Sequence, residues 1–266
     1  MRLLAGRGLE WLRRHIMDLP DPCPADHPAL PALAATGRLA PMLSALRGRP
    51  SPLEALVSRR LHPDLLRDAA LRVIEGARDR TTLLLMQAGA QDTQPWLLAC
   101  ERLASDTALP LPDRLPFAAD RDLFPEAERL LEHADAETSL TLMLHLWRFG
   151  TARPQLSDRW AVTRIHDRLQ WLLQEASDRR DTTDLASTIV SLALIDPGFD
   201  PGRHAADLIA SQRSDGSFGA RLGEGTLDQS LRDGATPTLA AIHALHAMGW
   251  RRGQAGVPAP HPGRVS

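Results

Sequence analysis

The sequence predicts an all-α fold in which helices apolar all round alternate with amphipathic ones. Three observations carry this. Segments 138–149, 183–195 and 236–248 are apolar nearly all round, and between them 158–175 and 201–213 each carry one polar side. A helix apolar on every side must be buried on every side, whereas an amphipathic one lies at the surface. No stretch alternates apolar and polar residues at a period of two with β-branched enrichment, so strands are not expected. Inner and outer helices taken in turn make concentric rings, an α/α toroid.

The N-terminal part, 1–105, is helical but less regular. Residues 1–19 form an amphipathic helix, with Leu4, Leu9, Leu12 and Ile16 on one side. The proline-rich 21–31 is a loop, and 30–46 gives one or two short helices, split near Gly37 and Pro41. Ser51 followed by Pro52 is a helix start, serine as N-cap and proline at the first helical position. His62-Pro63 ends that helix. Helices over 64–78, 81–90 and 95–104 follow, the last carrying Trp96 and Cys100.

Residues 106–125 hold several prolines and aspartates and read as a linker. Regular hairpin repeats fill 126–250, beginning with the amphipathic 126–133. We read 1–250 as a single domain. Residues 251–266, rich in Pro, Gly and Arg, read as a disordered tail.

Composition narrows function. The net charge is -2, which argues against nucleic-acid binding. No uninterrupted apolar run is long enough to span a membrane, and the arginine-rich N-terminus lacks the apolar core and cleavage site of a leader. A cytoplasmic protein is expected. The absence of lysine, which points to a GC-rich bacterial source, excludes Schiff-base catalysis, and the absence of tyrosine excludes a tyrosine general acid. Cys23 and Cys100 are far apart, without metal-type spacing. There is no Walker loop, no Rossmann fingerprint, no Gly-x-Ser-x-Gly elbow and no DDxxD segment.

Residues 204–219, HAADLIASQRSDGSFG, give a short helix, a Ser214-Asp215-Gly216 turn and an aromatic residue before a second glycine. Leu208, Gln212, Gly216, Phe218 and Gly219 match the repeat that closes helical hairpins in terpenoid cyclases and protein prenyltransferases. The segment Asp181-Thr182-Thr183-Asp184-Leu185-Ala186 resembles the Asp-x-Asp-Asp-Thr-Ala motif of the class II terpenoid cyclases. In that family the middle aspartic acid protonates an alkene or epoxide. Asp181 and Asp184 fall on the outer acidic positions, while Thr183 stands where the proton donor should be. A hydroxyl is far too weak an acid for that step, so Asp184 would have to take it. A carboxyl at the mouth of an apolar cavity has a raised pKa. The same residues also read as an N-cap, Asp181, with Asp184 at the positive end of the helix dipole.

Other candidates are fewer. His145, with Glu137 and Trp147, lies on the apolar helix 138–149 and could serve as a general acid or base. His243 and His246 are spaced for one helix face. Asp233 to Pro237 reads as a helix start, Thr236 as N-cap and Pro237 at the first helical position. If the inner helices start at one rim, Asp181, Asp184 and Asp233 share an opening.

The resemblance implies a biosynthetic cyclase or isomerase acting by proton transfer on a hydrophobic small-molecule substrate. Asp184, Asp181 and His145 are the catalytic candidates, and Trp147, Thr183, His243, Phe218 and Asp233 the substrate-binding ones. No cofactor and no metal are called for. The alternative is a non-catalytic binding or partner protein that keeps the fold without the acid, as a homodimer or beside a partner enzyme.

Overall fold

The computed structural model describes residues 1–47, 51–89, 130–146, 160–196, 198–223 and 230–254. The described residues are helical, with no strand and only two isolated bridges, Asp181 with Arg221 and Gln212 with Phe218. The expected helix 95–104 and linker 106–125 lie outside the described residues.

Helix α1 spans Arg2–Met17 and buries Ala5, Gly8, Trp11, Leu12 and Ile16. The face is therefore centred on Trp11 rather than on Leu4 and Leu9, which are only partly buried. Helix α2, Leu30–Arg47, runs unbroken through Gly37 and Pro41. The expected split is corrected. Gly37 is a packing residue: a Cβ there would lie 3.0 Å from both Ala88 Cβ and Leu61 Cδ1. Helix α3, Pro52–Arg60, starts as expected, with Ser51 Oγ accepting from the Leu53 amide. Helix α4, Pro63–Ile74, is capped by His62, and α5, Arg80–Ala88, by Asp79.

Helix α6 is Ala136–Leu146, α7 Ala161–Arg179, α8 Thr182–Ile195 and α9 Gly202–Ala210. Helix α10, Leu231–Gln254, is longer than expected at both ends. Ser230 Oγ accepts from the Asp233 amide and donates to the Asp233 carboxylate at 2.7 Å, so capping occurs at Ser230, well before Thr236. Pro237 is thus inside the helix rather than at its first position. The helix also continues past 250, so the first residues of the expected tail are helical. Residues 255–266 lie outside the described residues.

The packing order has a simple form. Helices α6, α8, α10, α2 and α5 pack in that succession, each on the next. Helices α7 and α9 lie against α8, α1 against α10, α3 against α2 and α4 against α5. Burial separates the two sets as the patterning requires: α8 is buried along nearly its whole length, while α7 buries one stripe through Ile165, Leu169, Leu172 and Ala176. No helix among the described residues is long and apolar enough to cross a membrane.

The helices of this succession begin at the same end of the molecule. Arg80 at the start of α5 reaches Glu137 at the start of α6, 3.5 Å apart. Asp184 at the start of α8 feels the charges of Asp135 and Glu137. Leu30, Thr81 and Arg232, at the starts of α2, α5 and α10, line one pocket.

Candidate functional site

The turn between α7 and α8 builds the first candidate. Arg180 takes φ 58°, reversing the chain. That reversal sets Arg179, in the last turn of α7, against Asp184, in the first turn of α8. Their side chains form an ion pair, Arg179 Nη2 to Asp184 Oδ2 at 2.8 Å. Each charge suits its helix end, the cation at a C-terminus and the anion at an N-terminus. Asp181 is the N-cap, its Oδ1 accepting from the Asp184 amide at 2.9 Å. Thr183 is half-buried beside it, and Thr182 is buried with an unpartnered hydroxyl.

Asp184 keeps 28% of its side-chain surface exposed. Burial raises its pKa above the ordinary carboxylate value, and the neighbouring Asp181 charge raises it further. Arg179 opposes the shift without cancelling it, while Asp135 and Glu137 add to it. A carboxyl that resists ionisation beside three others is suited to hold or deliver a proton.

The loop that follows α9 crosses this turn. The Thr182 amide donates to the Ala220 carbonyl at 3.0 Å, the Leu222 amide to the Arg180 carbonyl at 2.8 Å, and Arg180 Nη2 to the Leu222 carbonyl at 2.7 Å. Residues 212–219 form its compact head. Asp215 Oδ1 accepts from both the amide and the hydroxyl of Ser217, and the Gly216 amide donates to the Arg213 carbonyl. Gln212 Nε2 donates to the Gly216 carbonyl and to the Leu4 carbonyl of α1. The Phe218 amide donates to Thr238 Oγ1 at 2.9 Å, anchoring the loop on α10.

The other candidates fall apart in space or in role. Phe218 is fully enclosed, so its ring is core. Asp233 is exposed and occupied with Ser230, and the carboxylates acting on Asp184 are Asp181, Asp135 and Glu137 instead. His243 is fully buried on α10, and neither ring nitrogen has a hydrogen-bond partner. Burial, with the nearby His246, brings its pKa down to about 3, so the ring is neutral. The backbone of His145 belongs to α6, but its side chain and Trp147 lie outside the described residues. Among the described residues no group of three potential metal ligands comes together.

Sequence reading missed Arg179 and Asp135. The signal for Arg179 was present: it ends one helix five residues before an acid that begins the next, and only a tight reversal fits between them. No protein-family model matches the chain, and no curated protein or solved structure matches it either.

Proposed function

We propose that the chain is a biosynthetic cyclase or isomerase of the terpenoid-cyclase type, an α/α toroid that transfers a proton between Asp184 and an apolar small-molecule substrate. The observation that carries this is the placement of Asp184. Its carboxyl is partly desolvated at the start of a helix buried along nearly its whole length, among other carboxyls, with its pKa raised. Asp181 positions the acid's backbone, and Arg179 limits how far the pKa climbs. The toroid reading draws support from the Arg80–Glu137 pair, which links the last helix of the packed succession to the first. The hairpin-closing loop with Gln212, Gly216 and Phe218 supports the same reading.

A second reading is favoured by Thr183 and by the Arg179 ion pair, which favours the ionised form of Asp184. It is a binding or partner protein that encloses an apolar ligand without chemistry. The two separate in deuterated water. Linear isoprenoids of increasing length are incubated with the protein, and products are analysed by mass spectrometry. The cyclase reading expects cyclised or isomerised products carrying solvent deuterium, lost in Asp184→Asn while the melting temperature holds. Saturable isoprenoid binding with no product and no deuterium would leave the binding-protein reading.

A further inference from the structure

A cavity of about 450 Å³ opens where α2, α5 and α10 begin. It shares no residue with the Asp184 cluster and does not rest on the proposed activity. Its volume is that of a small-ligand site. Its floor is apolar, with Leu30, Leu65 and Leu85 from three different helices. Its polar groups are unevenly committed. Asp79 is already satisfied: its Oδ1 accepts from the Thr82 amide at 2.9 Å, and its Oδ2 faces Arg72 at 3.4 Å. His27 Nδ1 accepts from the Ala29 amide at 3.2 Å, which leaves the Nε2 hydrogen to donate. Arg232 lines the same cavity and makes no ion pair with any described residue. The Thr81 hydroxyl has no described partner either. Asp26, an exposed residue, is the remaining carboxylate of the lining.

We propose that this cavity binds a small amphipathic anion, its carboxylate or phosphate head on Arg232 and its short apolar body on Leu30, Leu65 and Leu85. The unspent groups are donors: a guanidinium, a hydroxyl and an imidazole N–H. The acidic Asp79 that would repel an anion is neutralised by Arg72. The N-terminal end of α2 lies at this cavity, and its dipole favours negative charge. An uncharged apolar molecule would leave Arg232 without a counter-charge, and a head with no tail would leave the leucine floor wet.

The test uses the full chain and three probes of equal chain length, octanoate, octyl phosphate and octanol, with inorganic phosphate as a fourth. Calorimetry at low salt is expected to show saturable binding of octanoate or octyl phosphate, with octanol and inorganic phosphate far weaker. Whichever of the two anions binds tighter names the head. Arg232→Gln is expected to weaken that binding about tenfold, and Arg232→Lys to restore most of it. Leu65→Ala is expected to weaken both octyl anions but not inorganic phosphate. The proposal is overturned if Arg232→Gln binds as wild type does, if octanol binds as tightly as octanoate, or if no probe binds. Because Arg232 is exposed, its replacement leaves the fold intact, and an unchanged melting temperature checks this.

Discussion

Gly216 sits against the backbone of α1: a Cβ at this position would lie 2.7 Å from the Arg7 carbonyl oxygen. Its φ is 99°, where side chains are strained in any case. Both effects follow from one turn pressed on one helix, with Arg7 Nη2 donating back to the Ser214 carbonyl at 2.6 Å. Gly216→Ala should therefore cost more than strain alone. Gly76 supplies the comparison, since its φ is 111° but nothing lies within 4 Å. In urea denaturation, Gly76→Ala is expected to lose about 1–2 kcal/mol. Gly216→Ala should lose clearly more, and equal losses would mean that the Arg7 contact does not matter.

Gln212 joins the same loop to α1 across most of the chain, its Nε2 donating to Leu4 O at 2.8 Å and Gly216 O at 3.0 Å. Gln212→Leu keeps the bulk and removes both donors. The Gly216 carbonyl loses this donor and the Leu4 carbonyl keeps only its bond within α1, a cost of about 1–3 kcal/mol. Amide exchange in α1 and in 212–219 should quicken together, since this side chain is one of the ties between them, beside Arg7. Faster exchange in the loop alone would show that α1 is held by its packing on α10 instead.

How much of this could be read beforehand depends on the range of the interaction. The helices of the C-terminal half were legible because a helix apolar all round, such as α8, has only one place to go. The Asp181 cap was legible because its partner, the Asp184 amide, is three residues away. The unbroken α2 was not, because what keeps Gly37 helical is packing on Ala88 and Leu61, contacts that no local pattern contains. The start of α10 was misread because two capping signals compete, and Ser230 with Asp233 prevails over Thr236 with Pro237. The gathering of Asp135 and Glu137 around Asp184 is tertiary, so no local pattern names them, and Asp233 is instead occupied with Ser230.

Asp184 yields a prediction whose sign follows from its raised pKa. The folded chain disfavours the ionised form. The group's stabilising contribution is present below the unfolded-state pKa and is lost as pH rises through the folded-state value. Near neutral pH, Asp184→Asn should thus melt at or above wild type. The difference should shrink on acidification, as the wild-type carboxyl becomes neutral too. Arg179→Met removes the opposing cation and should move the Asp184 midpoint higher still, as read by carbon-detected NMR titration. A midpoint unmoved by that change would show that the ion pair does not govern this acid.

His243 gives the sharpest dependence on pH. Its pKa is about 3 in the folded chain against an ordinary value of 6.5, and both ring nitrogens are buried without partners. A histidine with a depressed pKa is neutral when folded and protonated when unfolded, so acid favours the unfolded chain. Stability is full above the unfolded pKa and falls as pH drops from there toward the folded one. The slope for one such group approaches roughly 1.4 kcal/mol per pH unit. His243→Leu removes the titrating ring and two unsatisfied nitrogens, while keeping an apolar side chain at a fully buried position of α10. It should therefore be at least as stable as wild type near neutrality, and its advantage should widen as pH falls below about 6.5. Urea titrations of both proteins across this range measure the difference directly, with acid effects common to both cancelling. Parallel curves would mean that His243 has a partner or a protonation route in solution.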